Sequence, residues 1–308
     1  DLYVIAVCVA CVLVLNVMHL ARVYDFETLS RPALQVGRIL HCAGQVGRTP
    51  DLQVIEDPEA QFEACWNNVA TVLAAAGIAL HEGYDAARLE RLAPDLVVIG
   101  NAMTRGNPEV EWLLDTRALP FTSLPAFLHD VILRSRRNLV ICGTHGKTTT
   151  TALTAFLLRA AGRDPGFLIG GVPQDPPTGA HLGATADPFV IEGDEYDSAF
   201  FDKTAKFLKY VPDVAVINNV EFDHADIYAD FDAVALAFKR LVNLVPRKGL
   251  VLVGADSPGA RAVAENARSR VETFGLTDGV DWHAHDVASD ASSTTFSVRR
   301  RGEPYGRF

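Results

Sequence analysis

Residues 138–162, NLVICGTHGKTTTTALTAFLLRAAG, carry an apolar strand into a glycine-rich turn and on without a break into a helix that stops at Gly162. This stretch constrains the fold most, because a strand feeding directly into a helix is the opening half of a βαβ unit. The turn has a chemistry of its own. It aims several backbone N–H groups at one point, and the helix dipole adds partial positive charge there. Gly143 and Gly146 let the backbone wrap closely around a phosphate. Lys147 can neutralise β- and γ-phosphate oxygens, and the Thr148 hydroxyl can ligate Mg²⁺. The loop is too short for the usual phosphate-binding pattern, which places a glycine six residues before the lysine; here that residue is Ile141. A capped helix carrying a solvated lysine is the plain alternative. The four threonines 148–151 are poor helix formers, and their position after an apolar strand favours phosphate binding.

The alternation continues on both sides of this unit. GRILHCAG, IALHEGYD and DLVVIG predict short strands before it, and PFVIEGD, DVAVINN and GLVLVG predict strands after it. EAQFEACWNNVATVLAAAG, LPAFLHDVILRSR and DFDAVALAFKRLVNLV space their apolar residues as helices do. Strands alternating with helices predict a parallel α/β architecture, with a boundary near residue 135. DASSTTFSVRRRGEPYGRF, at the end, reads as a turn and an unfinished β segment.

Two of these strands end in polar clusters. VIEGDEYDSAFFDK, residues 190–203, places Glu192, Asp194, Glu195 and Asp197 at a strand end. Clustered carboxylates are costly unless a cation sits among them, and ligands bind at the C-terminal ends of strands in α/β sheets. Mg²⁺ binding by Glu192 is therefore favoured over a solvated acidic turn. VINNVEFDHADIY, residues 216–228, ends likewise in Asn219, Glu221, Asp223, His224 and Asp226. Asp223 and His224 fit a second metal or phosphate contact there.

The chain has 308 residues and a formal net charge of -10. The length predicts one large or two ordinary domains. The acidic balance argues against a general nucleic-acid binder and leaves room for a local basic pocket. Five cysteines, Cys8, Cys11, Cys42, Cys65 and Cys142, are odd in number and scattered, as expected in a reducing compartment. Cys8 and Cys11 form a C-x-x-C with no second pair to complete a zinc site. Residues 3–20, YVIAVCVACVLVLNVMHL, approach the length that spans a bilayer. Asn16 and His19 interrupt that run, and a buried strand with its flanks is the other reading.

Together the three polar stretches resemble the Mur ligase family. GTHGKTTTT is similar to that family's short ATP loop, G-T-x-G-K-[ST]-[ST], which accounts for the missing glycine. NAMTRGNPEVE, LPFTSLPAFL, DPGFLIGGVP, VIEGDEYDSAFFDKTAKFLKY and NNVEFDHADIYADF narrow the resemblance to one branch, and it runs from about Gly77 to the end. That branch joins UDP-N-acetylmuramate to L-alanyl-γ-D-glutamyl-meso-diaminopimelate in peptidoglycan recycling.

The resemblance implies a partial Rossmann-like N-terminal domain over residues 1–134, with the apolar segment in its first 23 residues. A P-loop-type parallel-sheet central domain over 135–308 follows, truncated at its end, with a third domain missing. ATP and Mg²⁺ are the implied cofactors. Gly143, Thr144, His145, Gly146, Lys147, Thr148 and Thr149 are implied as the nucleotide loop, and Thr148, Glu192 and His224 as metal contacts. Lys147, Glu192 and His224 are implied to carry the chemistry, and Lys239 has the spacing of a lysine that some members carbamylate. ATP would phosphorylate the lactyl carboxylate, and the tripeptide amine would attack the acyl phosphate. A cytoplasmic monomer acting on small molecules is implied, with no nucleic-acid partner.

Two features depart from the family. Residues 1–76 contain no G-x-G-x-x-G turn, and residues 24–76 instead resemble a segment of an extended short-chain dehydrogenase or nucleotide-sugar epimerase. HCAGQVG carries that resemblance, yet no Y-x-x-x-K accompanies it. A mosaic N-terminus with weak UDP-sugar binding is the expectation. No H-N-x-x-N-A-x-A-A stretch appears either, so an incomplete fragment without ligase turnover is expected. The alternatives are a ligase of the L-alanine-adding type or another Mur ligase, an NAD-linked epimerase-like protein, and a membrane-tethered nucleotide binder.

Overall fold

The computed structural model describes residues 33–36, 39–42, 79, 81, 83–222, 227–290 and 293–308. The apolar segment 3–20, most of the epimerase-like stretch 24–76 and the helix expected over 59–77 lie outside the described residues. Asp223, His224 and Asp226 do too. Strands β1 (Ala33–Val36) and β2 (Ile39–Cys42) pair antiparallel.

A ten-stranded sheet organises the described residues. Its order is β16-β15-β14-β13-β12-β11-β5-β8-β6-β7. The parallel centre is β13 (Arg270–Gly275), β12 (Leu250–Gly254), β11 (Val214–Ile217), β5 (Asn138–Cys142), β8 (Phe189–Gly193) and β6 (Gly166–Leu168). β7 (Ala180–His181) joins β6 antiparallel at one edge. β14 (Trp282–Ser289) is parallel to β13, and β15 (Thr294–Arg300) and β16 (Glu303–Arg307) add antiparallel strands at the other edge. The stretch read as an unfinished β segment thus supplies two registered strands.

Chain order reverses around β5. The chain leaves β5 through the helix Lys147–Ala160, returns through β6 and β8 on one side, then crosses to β11 on the other. Such a switch point opens a crevice at the strand C-terminal ends.

Alternate residues of these strands feed two cores, as the two-residue period of a strand requires. Val140, Cys142, Phe189, Ile191, Ala215 and Ile217 pack on one face, against the helices Phe231–Leu244 and Pro258–Ala264. Ile141, Val190 and Phe167 pack on the other, against Ala155 of Lys147–Ala160. Burial on both faces explains the near-continuous apolar runs LVIC, FVI and VAVI. The helix Phe231–Leu244 starts at Asp230, whose side chain accepts from Ala233 N at 2.8 Å. It buries Val234, Ala235, Phe238, Leu241 and Val242, while Lys239 faces solvent. Phe238 is fully buried, with its ring 5.2 Å from Phe207. Phe238→Ala is expected to cost about 3–5 kcal/mol of unfolding free energy, read by denaturant titration.

A smaller unit precedes the large sheet. β3 (Val97–Ile99) and β4 (Phe121–Ser123) run parallel. The helices Ala86–Leu92 and Pro108–Thr116 flank them, capped by Asp85 and Asn107. Leu89, Val97, Ile99 and Leu113 form its core. Of the strand predicted by IALHEGYD, Ile78, Leu80 and Glu82 lie outside the described residues. Asp85, the last residue of that stretch, caps the helix Ala86–Leu92, its carboxylate accepting from Ala87 N at 3.0 Å. The hairpin of β9 (Asp197–Ala199) and β10 (Asp202–Ala205) reaches this unit from the large sheet. Phe200 packs on the small core, and Phe201 meets Phe121 edge-to-face at 5.3 Å.

At the far edge, Asp281 accepts from Thr273 N at 2.9 Å and Thr273 Oγ1 at 3.0 Å, and Arg301 lies beside it. The Thr273 backbone bond leads these causes, and together they hold the carboxyl below its usual range. A depressed folded value stabilises the fold above the unfolded value, about 3.9. That contribution disappears as pH falls through the lower folded value. Asp281→Asn should therefore lower Tm near pH 7, and the deficit should shrink toward zero in acid, a trend that melting curves across pH will follow.

Candidate active site

The crevice beyond β5, β8 and β11 collects most of the residues singled out in the sequence. Cys142 ends β5 fully buried, and burial pushes its thiol up, out of reach of chemistry at neutral pH. Gly143 then turns the chain at φ 140. A Cβ there would sit 3.0 Å from Asn218 Cβ and 3.1 Å from the Asn219 backbone, so only glycine fits this close approach. Gly146 caps the helix at φ 77 with no side chain bonded to the first turn. Lys147, Thr148 and Thr149 open the helix, where backbone N–H groups have no intrahelical acceptor. The cap leaves them open to an anion.

The loop is held from β11. Thr144 N donates to Asn219 O at 3.0 Å. The Asn219 side chain accepts from His145 N at 2.8 Å and donates to His145 O at 3.3 Å. It thus pairs with one loop residue as a neighbouring strand would. Thr144 Oγ1 accepts from Glu221 N at 2.9 Å. The His145 ring is exposed and 3.7 Å from Glu221, so His145 contributes its backbone.

The threonine run has structural uses. Thr148 Oγ1 donates to Glu192, Thr150 Oγ1 accepts from Asn218 Nδ2 at 3.0 Å, and Thr151 Oγ1 donates to Lys147 O at 2.8 Å. Thr149 is exposed.

Glu192 closes β8 beside the loop. Oε1 accepts from Thr148 Oγ1 at 2.9 Å, and Oε2 accepts from Gly170 N at 2.8 Å. Burial pushes its carboxyl up, against the pull of those two bonds. A Cβ on Gly170 would meet Oε2 at 2.7 Å, so any larger residue there would displace that carboxylate. The hydroxyl and carboxylate form a hard oxygen pair of the kind Mg²⁺ uses when phosphates and waters fill its other positions. Among the described residues no group of three or more His, Cys, Asp and Glu gathers to hold a metal. His224, the third implied contact, lies outside the described residues.

Lys147 Nζ lies 3.0 Å from Glu195 Oε1 and 2.9 Å from Oε2. It also donates to Gly143 O at 2.8 Å and Thr144 O at 3.2 Å. Glu195 is buried, and its backbone carbonyl accepts from Tyr228 OH at 2.6 Å. Asp194 pairs with Lys206 at 2.6 Å. Burial pushes Asp194 up, but Lys206 and the Tyr196 N–H outweigh it and hold the carboxyl below its usual range.

The family model for the Mur ligase middle domain matches residues 141–305, which take in this loop, the acidic strand end and the Asn219 clamp. The chain belongs to the Mur ligase family. It is 45% identical over 239 residues to the UDP-N-acetylmuramate–L-alanyl-gamma-D-glutamyl-meso-2,6-diaminoheptandioate ligase of Escherichia coli (strain K12), covering 77% of this chain and 51% of that protein. A UDP-N-acetylmuramate–L-alanine ligase of an Arthrobacter species (strain FB24) is 38% identical over 223 residues, covering 70% of this chain and 44% of that protein. The crystal structure of a UDP-N-acetylmuramate:L-alanyl-gamma-D-glutamyl-meso-diaminopimelate ligase from Neisseria meningitides superimposes with a TM-score of 0.70 at 38% identity. That match covers 83% of this chain and 77% of the other. The chain spans about half the length of the curated relatives it matches.

Within this Mur ligase fold, Lys147, Thr148 and Glu192 are brought together as the sequence suggested. Lys239 stands on the exposed side of Phe231–Leu244. Gly170 and Tyr228 were not singled out. A Gly-Gly pair in FLIGGVP was the one signal for the first, and no local pattern marks the second.

Among the described residues no helix is long and apolar enough to cross a membrane.

Proposed function

We propose that this chain carries the nucleotide-binding part of an ATP-dependent ligase that joins UDP-N-acetylmuramate to L-alanyl-γ-D-glutamyl-meso-diaminopimelate. The observation that carries the reading is the convergence of a helix N-terminus with no side-chain cap bond, Lys147 and the Thr148–Glu192 pair at one switch point. The higher identity to the tripeptide-adding relative than to the L-alanine-adding one supports the substrate.

In this reading the first helical turn and Lys147 hold the β- and γ-phosphates. Thr148 and Glu192 would hold Mg²⁺, with His224 as a further contact, and the ion would supply charge neutralisation on the phosphates. Phosphoryl transfer to the lactyl carboxylate gives an acyl phosphate. The tripeptide amine attacks the acyl carbon, and phosphate leaves from the tetrahedral intermediate. Such chemistry is chiefly positioning and charge neutralisation. The chain's own part is to fix the loop through Asn219 and to hold Lys147 between Glu195 and the loop carbonyls. We further propose two structural units dividing near residue 135, the second holding the nucleotide, and action in the cytoplasm on small molecules.

Calorimetric titration tests this. ATP with Mg²⁺ should bind saturably. ADP release that requires UDP-N-acetylmuramate and the tripeptide together supports the full reading. Release driven by L-alanine and not the tripeptide moves the assignment to the L-alanine-adding branch. Absence of ATP binding overturns the reading.

A further inference from the structure

Lys147 does not wait for phosphate as a free cation. Both oxygens of Glu195 lie within 3.0 Å of its ammonium, and that carboxylate is only 2% exposed. Glu195 is fixed from behind, since the Tyr228 hydroxyl bonds its backbone carbonyl at 2.6 Å. Asp194 is likewise neutralised by Lys206, and Glu192 adds a third carboxylate facing the loop. Two lysines thus stand against three carboxylates around one helix N-terminus. A polyanion arriving alone would meet a lysine already neutralised and a site of net negative charge.

We propose that Glu195 is a positioning residue that withholds Lys147 from metal-free nucleotide, so that phosphate binding at this loop depends on a divalent cation. The inference rests on the ATP-binding reading above. It concerns how Lys147 is shared: the metal offsets the carboxylates, and only then can the ammonium be divided between Glu195 and a phosphate oxygen. At such distances a full charge acts strongly in a partly buried site.

The test measures ADP affinity by calorimetry in EDTA and in Mg²⁺, using the full chain. The proteins are the unaltered chain, Glu195→Gln, Glu195→Asp, Lys147→Met and the double variant Lys147→Met with Glu195→Gln. Glu195→Gln keeps the shape and removes the charge. It should bind ADP in EDTA about fivefold more tightly or better, with a smaller gain in Mg²⁺. Glu195→Asp keeps the charge and should stay weak in EDTA. The gain should vanish in the double variant, since it acts through Lys147. A purely structural role would instead weaken binding in both media and would not depend on Lys147.

Metal-free affinity in Glu195→Gln that is equal to or below that of the unaltered chain overturns the inference. A gain that persists without Lys147 overturns it too. If the unaltered chain binds no ADP even with Mg²⁺, the ATP-binding reading itself falls, and this inference with it. Thermal melting of each variant identifies any that fails to fold; should Glu195→Gln be one, Glu195→Ala takes its place, with tighter metal-free binding again expected and unchanged or weaker metal-free binding again overturning the inference.

Discussion

Lys147→Met lowers the affinity of this chain for Mg²⁺-ATP by about 10–100-fold, the expected loss for one charged hydrogen-bond donor on a phosphate. It also destabilises the free protein. The substitution leaves Glu195 buried without its cation, and breaking a buried pair from one side costs on the order of 3 kcal/mol. The two effects separate in the double variant. Adding Glu195→Gln removes the stranded charge and should restore most of the lost Tm, while nucleotide affinity stays low. Melting curves and calorimetry on the unaltered chain, Lys147→Met, Glu195→Gln and the double variant read both. A single variant with normal stability would mean that Lys147 and Glu195 do not form the pair described here.

Gly170→Ala acts on the other half of the site. The added methyl would fall 2.7 Å from Glu192 Oε2, and that oxygen is bonded to the Gly170 N–H. Glu192 must move, and its bond to Thr148 moves with it. Supports of this kind typically change metal affinity by about 10–100-fold. The expected signature is loss of the Mg²⁺-dependent part of nucleotide binding, with metal-free binding unchanged. Titrating Mg²⁺ at fixed ADP measures it. Equal loss with and without metal would point to general damage to the loop.

The parallel sheet was legible because its strands are buried on both faces. LVIC, FVI, VAVI and LVLV are apolar without alternation, and each ends at a glycine or a polar cluster. Lys147, Thr148 and Glu192 could be read for the same reason, since they sit at the ends of those strands. Other elements gave no such signal. β14 carries WHAHDVAS, where His283 and His285 alternate with Trp282 and Ala284 but Asp286 and Val287 break the pattern, and its place is set by pairing with β15. β6 is three residues long and depends on β8 for its pairing. The helix Ala86–Leu92 has one buried residue, Leu89, too few for a periodic stripe. IALHEGYD reads as a strand because its first three residues are apolar; Ile78, Leu80 and Glu82 lie outside the described residues, and Asp85 at its end is a helix cap.

The site's remaining parts depend on contacts across the sequence. Asn219 reaches His145 across 74 residues, Lys147 reaches Glu195 across 48, and Tyr228 reaches Glu195 across 33. No local spacing encodes such pairs. The polar cluster after VINN hinted at a ligand, yet the role of Asn219 as a backbone clamp follows only from the register of β11 against β5.

The most direct measurement is a crystal structure of this chain with ADP and Mn²⁺, the metal located by anomalous scattering. The account predicts phosphates against the Lys147–Thr149 turn and Lys147 Nζ on a phosphate oxygen. It also predicts a metal within about 2.0–2.3 Å of Thr148 Oγ1 or a Glu192 oxygen. Nucleotide bound away from this turn, or metal bound without contact to Thr148 and Glu192, would contradict it.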